Sequence, residues 1–383
     1  MWGEGLAIFA FAVSLACGSE VDVDSGPDGS GPPSDGNGNG NDLPDAGADG
    51  TDVDADDPPD DTGAGLVFVG GDLDLGPGDE ESDSAETWLW NGQTWGRADS
   101  PLGAPSYRYK HAMAYDPDRS EVVLFSGLED EGFFSNTLAD DTWTWDSTGW
   151  NFFDTETDGP DPRSEHAMAY DGERVMMFGG FAEPPFGGGQ TARAETWIWD
   201  DGAWTELTPS EAPAPRYAHQ LAYDESRGEV VLFGGRVQEA EFALPGDDTW
   251  VWDGSNWEEL SPSDAPDPRS DHAMAYDSGR GVVVLFGGRG TGDTFDDTWE
   301  WDGSTWDRME HPGLPPTPRA GHAMAYDPHT RRVIMVAGER DDGDALSDRW
   351  AWNGALWEEI SRPGSVDPAR SHADLSRGPV PAN

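Results

Sequence analysis

Six histidines recur at equivalent places along the chain: His111, His166, His219, His272, His322 and His372. An arginine stands three residues before each of the first five, at Arg108, Arg163, Arg216, Arg269 and Arg319, and Arg370 stands two before His372. Repeated imidazoles suggest metal ligation. Repeated guanidiniums suggest bidentate capture of a carboxylate or other anion. A third set, Glu86, Asp141, Glu195, Asp248, Asp297 and Asp348, stands at the front of tryptophan-bearing segments such as "DDTWEWDGSTW" (296–306). Either the acids neutralise the arginines, or the arginines line a charge-selective mouth for an acidic peptide or anionic glycan.

Several chemistries are disfavoured at once. Neighbouring sheets pack about 10 Å apart, whereas zinc needs nitrogens at about 2.0–2.1 Å. The histidines are therefore read as hydrogen-bonded structural residues, with no metal and no cofactor expected. The single cysteine, Cys17, precludes internal disulfides and any cysteine cluster in the rest of the chain. With 76 acidic against 22 basic residues and a formal charge of -54, nucleic acid is not an expected partner. Most tyrosines (Tyr115, Tyr170, Tyr223, Tyr276, Tyr326) are themselves repeat positions, so no catalytic constellation stands out. A binding role is favoured over catalysis, which stays open.

The elements that must position these residues are repeats. "HAMAYD" occurs at 111–116, 166–171, 272–277 and 322–327, with "HQLAYD" at 219–224, at spacings of 50 to 55 residues. That period belongs to propeller-type architectures. Each marker is followed by an apolar run such as "VVLFGG" (283–288), a variable loop, and a tryptophan unit such as "DTWVWDGSNW" (248–257). Alternating apolar runs separated by Gly- and Asp-rich turns predict four strands per repeat, here A to D, with Asp-Gly marking the C–D hairpin.

These residues resemble the kelch repeat: an arginine opening strand A, a double glycine after strand B, and spaced aromatics on strands C and D. The resemblance covers residues 65 to about 377 and implies an all-β, six-bladed kelch-type propeller. "VFVGG" (67–71) and "ETWLWNGQTW" (86–95) form a blade without strand A, and "PARSHADLS" (368–376) is a strand A without a blade. The C-terminal strand is therefore expected to complete the first blade, with a shifted fit because Arg370 lies one residue too close to its histidine. Some kelch domains bind acidic ligands through equivalent arginines, which makes Arg108, Arg163, Arg216, Arg269, Arg319 and Arg370 ligand-binding candidates. The family includes galactose oxidase, whose crosslinked Tyr–Cys copper site this chain does not match, since Cys17 lies outside the repeats. The tryptophan units also partly resemble the Asp-box of sialidases, so a sialidase-like hydrolase remains an alternative, as does a purely structural surface protein.

Eighteen of nineteen tryptophans fall into six triplets. Fully exposed, they would present about 3,600 Å² of aromatic surface, more than a soluble monomer carries. The leading members, Trp88, Trp143, Trp197, Trp250, Trp299 and Trp350, are therefore read as structural. Ligand specificity is assigned to the B–C loops, which share a face with the D–A loops and carry Phe133, Phe134, Phe186 and Phe242. The expected ligand is a protein or glycan, and the expected oligomeric state is a monomer.

The N-terminus reads as an export signal. "LAIFAFAVSLAC" (6–17) is an apolar run ending in small residues, and it resembles a bacterial lipoprotein signal with Cys17 as the lipidated residue. Its start, "MWGEG", lacks the usual basic residue. Residues 18–64 hold 14 acidic residues and neither aromatic nor basic ones, a composition that predicts a disordered tether. The expected organisation is a signal over 1–17, a linker over 18–64, a propeller over 65–377 and a tail over 378–383. The expected location is the outer membrane, cell surface or periplasm, with membrane contact through a lipid anchor alone.

Overall fold

In a computed structural model, the described residues are 64–73, 87–91, 95–98, 103–130, 136–153, 159–182, 191–239, 242–360 and 370–379. The chain divides into two units, Gly18–Asp60 and the remainder, and every described residue belongs to the second. The signal, Cys17, Phe133, Phe134 and Phe186 lie outside the described residues, as does the linker apart from Ala64.

The described residues form an all-β fold whose repeating unit is a four-stranded antiparallel sheet. Six such sheets share one strand order. In the fifth, strand A (Ala273–Asp277) pairs with B (Val282–Phe286), B with C (Thr298–Trp301), and C with D (Trp306–Arg308). Alternation explains the burial. Strands A and B, apolar on both faces, are enclosed, whereas D turns its charged residues outward, as at Asp307 and Arg308. The hairpin between C and D closes on an aspartate cap: Asp253 Oδ1 accepts hydrogen bonds from the Ser255 and Asn256 amides at 2.8 Å each.

The first sheet is assembled from both ends of the described chain. Ala64–Leu73 pairs with Thr87–Trp90 on one side and with the C-terminal strand Arg370–Pro379 on the other. In the other sheets the residue after the histidine, Gln220 in the fourth and alanine in the rest, faces the last apolar residue of strand B, as in Ala112↔Phe125. The equivalent partner here, Val69, faces Asp374, and Ala373 faces Gly70. The closing strand is thus registered on Arg370, not on its histidine, and Ala373 takes the place that histidine holds elsewhere. His372 consequently leaves the histidine series, because a one-residue slip reassigns every position along a strand.

Apolar clusters bridge neighbouring sheets. Met168, Val175, Met177 and Trp199 of the third sheet pack with Tyr115, Leu124 and Trp145 of the second. The third tryptophan of each unit also hydrogen-bonds the preceding sheet: Trp204 Nε1 donates to Thr142 Oγ1 at 2.9 Å, Trp257 to Thr196 at 3.0 Å, Trp306 to Thr249 at 3.0 Å and Trp357 to Thr298 at 2.9 Å. Trp150 does the same to Thr87 at 2.8 Å. Between the sixth and first sheets that threonine is replaced by Arg349, whose guanidinium lies 5.5 Å from the Trp95 ring centroid. A separate bond, Trp90 Nε1 to Asp327 Oδ2 at 3.0 Å, spans the same junction. A small pocket opens there, lined by Phe68, Trp88, Trp95, Val336 and Arg349.

Candidate functional site

The D–A and B–C connections do meet on one face. Arg108–Tyr109 pairs with Leu128–Asp130 and then Asn136–Leu138, forming a small second sheet above the second large one. Arg163–Ser164 and Arg216–Tyr217 begin equivalent three-stranded sheets with the B–C segments of their own repeats. The fifth and sixth repeats have isolated bridges there instead, such as Ser270↔Arg289. This face is therefore walled by loops of unequal height on a uniform base.

The five arginines with described side chains lie beneath that wall, not on it. Arg108, Arg163, Arg216, Arg269 and Arg319 are 0–1% exposed. Arg269 Nη1 donates to Gly287 O (2.9 Å) and Asp297 Oδ1 (2.6 Å), Nη2 to Asp297 Oδ2 (3.0 Å), and Nε to Asp267 O (3.0 Å). Arg216 holds Asp248, and Arg319 holds Asp348, in the same two-point geometry. Arg108 pairs with Asp141, and Arg163 with Glu195. Each bidentate acid, Asp141 included, also accepts the indole N–H of the tryptophan two residues on, as in Trp299 Nε1 to Asp297 Oδ2 at 2.8 Å. Burial alone would push the Asp297 carboxyl up, but the hydrogen bonds and charge of Arg269 outweigh it and hold the group below its ordinary range. The expectation of an arginine-lined mouth is corrected by this geometry. These guanidiniums are consumed in tying the start of strand A to the turn after B and the start of C. Arg370 is placed by its backbone pairing with Leu73.

The leading tryptophans sit half-buried over these pairs, apart from Trp88, which lines the closing-junction pocket. Phe242 is 74% exposed, with Leu244 beside it at 58%, both on the short strand Phe242–Pro245 at the edge of the loop wall.

The histidines are buried and neutral. Each packs its Cβ against the second glycine of its own repeat, where a side chain would collide: a Cβ on Gly180 (φ 102°) would lie 2.8 Å from His166 Cβ. The ring of His166 meets Phe125 of the preceding sheet edge-on at 5.5 Å, and His219, His272 and His322 meet Phe178, Phe233 and Phe286 in the same way. Both ring nitrogens of each histidine are buried without a well-formed hydrogen bond, although the backbone at Phe125, Phe178 and Phe286 approaches three of the rings. Packing between sheets holds them, with the backbone of the preceding sheet beside His166, His219 and His322. Burial, reinforced by the adjacent arginine, lowers His111, His219 and His322 to about 3 and pushes His166 and His272 well below the ordinary value. Among the described residues no group of three or more His, Cys, Asp or Glu is arranged to hold a metal ion.

The residue immediately before each histidine proves more informative. Lys110, Glu165, Ala218 and Asp271 all adopt positive φ (57–62°), and Gly321 joins them at 60°. Their backbones link head to tail around the axis: Glu165 N to Lys110 O (3.0 Å), Ala218 N to Glu165 O (3.0 Å), Asp271 N to Ala218 O (3.1 Å) and Gly321 N to Asp271 O (2.9 Å). Sheets assumed to stand about 10 Å apart thus converge at the axis to hydrogen-bond distance. The backbone is the same at every step while the side chain changes: Lys110 pairs with Glu165, and Ser270 Oγ donates to Asp271 Oδ2 at 2.6 Å. Burial, and then the charge of Glu165, raises the Asp271 carboxyl to about 6. Above this ring, Arg289 pairs with Glu339 and Tyr217 stacks on Phe181 at 4.7 Å. The signal was present in the sequence as the most variable residue, K, E, A, D and G, in front of a constant histidine.

Residues 186–376 match the KLHDC2/KLHL20/DRC7 Kelch-repeats domain. The chain is 31% identical over 135 residues to Dynein regulatory complex subunit 7 of Chlamydomonas reinhardtii, covering 34% of this chain and 11% of that protein. It is 27% identical over 233 residues to Kelch repeat-containing protein 2 of Saccharomyces cerevisiae (55% and 24%). It is also 27% identical over 219 residues to Kelch domain-containing protein 2 of Bos taurus (51% of each). The chain thus spans about half or less of the length of these relatives. Sequence repeats, four-stranded sheets and the matched domain agree on a kelch-repeat β-propeller.

Proposed function

We propose that this chain is a noncatalytic binding module that engages a protein ligand through the face built by the B–C and D–A loops. The observation that carries the reading is the contrast between frame and face. The charged groups most able to grip a ligand are consumed internally, while the second, third and fourth repeats raise additional three-stranded sheets on that side. The last of these presents Phe242 and Leu244 to solvent. Exposed aromatic and aliphatic side chains on a rigid base are the usual anchors of protein interfaces. We further propose that the six sheets are six blades around one axis, closed by the C-terminal strand. The N-terminal apolar run ending at Cys17 supports an exported, lipid-anchored protein carried on an acidic tether.

The test is site-specific. A photo-crosslinker at Phe242 is expected to capture a discrete protein partner, and the Phe242→Ser, Leu244→Ser double variant is expected to lose partner binding at least tenfold with an unchanged thermal midpoint. Full retention of binding by the double variant refutes this face as the interface.

A further inference from the structure

The axial ring holds an acidic group whose needs are unmet. Its backbone hydrogen bonds put successive Cα atoms about 5 Å apart, and six equal steps close a ring of about 5 Å radius, so its side chains share a narrow neck. Backbone hydrogen bonds give Lys110, Glu165, Ala218, Asp271 and Gly321 five of the six places. Lys110 is committed to Glu165. Asp271, 1% exposed, has one donor, the Ser270 hydroxyl on Oδ2, while Oδ1 is buried with no hydrogen-bond partner among the described residues. A carboxylate buried beside a second carboxylate is costly unless a cation accompanies it. Arg236 and Arg289 act on it through space, and Arg289 is already paired with Glu339.

We propose that the axial neck binds one compact monovalent cation of the ammonium class against Asp271 Oδ1, with the Glu165 carboxylate adding attraction from two blades away. A primary ammonium suits the place better than a divalent metal, because no third acidic or imidazole ligand is arranged there among the described residues. It suits the place better than a guanidinium, because a planar fork is wider than a neck formed by residues this close. The ammonium could be a free ion or a lysine of a bound partner; the shared chemistry is a small N–H donor carrying a single charge. The site does not depend on the loop-face reading, and either can fail without the other.

The probe is methylammonium chloride, with choline chloride at equal concentration as the bulky control and N-acetyl-lysine amide as the peptide-borne source. At pH 8 and a concentration tenfold above the dissociation constant, methylammonium is expected to raise the thermal midpoint of the whole protein by about 2 °C or more over choline. A response to N-acetyl-lysine amide as well assigns the site to peptide lysine, and a response to methylammonium alone assigns it to the free ion. The Asp271→Asn variant is expected to match or exceed the wild-type midpoint in choline and to lose the methylammonium response, a pairing that a merely structural aspartate would not give. Should that variant fail to fold, the wild type supplies the second measurement. Its response is expected to vanish by pH 5, where Asp271, facing Glu165, Arg236, Arg289, Tyr217 and the neighbouring His272, is protonated. Equal midpoints in methylammonium and choline at pH 8, or a response undiminished at pH 5, overturn the proposal.

Discussion

Lowering the pH from 7 to 5 should destabilise this protein through its histidines. In the folded chain His111, His219 and His322 titrate at about 3, and His166 and His272 lie well below the ordinary value, so all five are neutral at pH 5. In the unfolded chain a histidine of pKa about 6.5 is almost fully protonated at that pH. A depressed native pKa means that stability is complete above about 6.5 and is lost progressively as pH falls toward about 3. Unfolding at pH 5 then takes up about five protons at these sites. Asp271 works the other way: with its native value raised to about 6, the folded state already holds most of one proton at pH 5. Glu121, Glu229 and Asp171, also raised, subtract further. A net uptake of about three to four protons gives a slope of about 4–5 kcal/mol per pH unit. Asp248, Asp297 and Asp348, held low by their arginines, add their own losses only below about pH 4 and do not blur this window. Guanidinium denaturation followed by tryptophan fluorescence at pH 7, 6, 5.5 and 5, paired with potentiometric proton uptake, measures the slope directly. A stability that is flat between pH 6.5 and 5, or an uptake of one proton or fewer, would refute burial of neutral imidazoles between the sheets.

Three further outcomes follow from the same contacts. Arg269→Ala leaves Asp297 buried without its partner and is expected to cost about 3–5 kcal/mol, while the Arg269→Ala, Asp297→Ala double variant costs less than the sum of the single changes; urea melts decide. Thr298→Val removes the acceptor of Trp357 and should cost about 1–3 kcal/mol, whereas Arg349→Ala, at the junction where arginine has replaced that threonine, should cost less than about 1 kcal/mol. Cys17→Ala is expected to abolish metabolic labelling of the expressed protein with radiolabelled palmitate; labelling that persists would refute lipidation at this residue.

The sequence was most legible where one physical requirement repeats. "VVLFGG" and "DTWEWD" specified strands, faces and hairpins because strand periodicity and left-handed glycine turns leave few alternatives. The kelch resemblance then named an architecture that the sheets and the matched domain support. Site residues were less legible, since charge and spacing do not reveal depth. Arg269 and Asp297 lie 28 residues apart in sequence, and although their repeat positions allow the acid to neutralise the arginine, nothing local gives the depth at which they close on each other. The histidines were legible in part. A buried imidazole normally has hydrogen bonds, and the backbone at Phe125, Phe178 and Phe286 approaches three of the rings, but the edge-on packing of those rings on phenylalanines of the preceding sheet was not visible in the sequence. The closing strand was legible to within one residue: of two conflicting markers, Arg370 and His372, the backbone ladder follows the arginine.

That slip bears on how the ring is held. At the four junctions from the second sheet to the sixth, adjacent sheets are joined by the apolar interleave, a tryptophan–threonine bond and a histidine packed on a phenylalanine. At the junction of the sixth and first sheets the threonine is Arg349, the register gives the histidine's place to Ala373, and a small pocket remains. What replaces those contacts is the backbone ladder within one sheet: nine register pairs join Ala64–Leu73 to Arg370–Pro379. A backbone ladder tolerates side-chain substitution, because its hydrogen bonds do not depend on residue type. The closing sheet can therefore depart from the repeat in ways that the interior junctions, whose contacts are made by particular side chains, do not. The same reasoning accounts for the axial ring, where five backbones linked by N–H···O bonds carry a lysine, a glutamate, an alanine, an aspartate and a glycine without altering the frame. Variation in this molecule gathers where the backbone alone holds the structure: on the raised loops, in the closing sheet and at the axis.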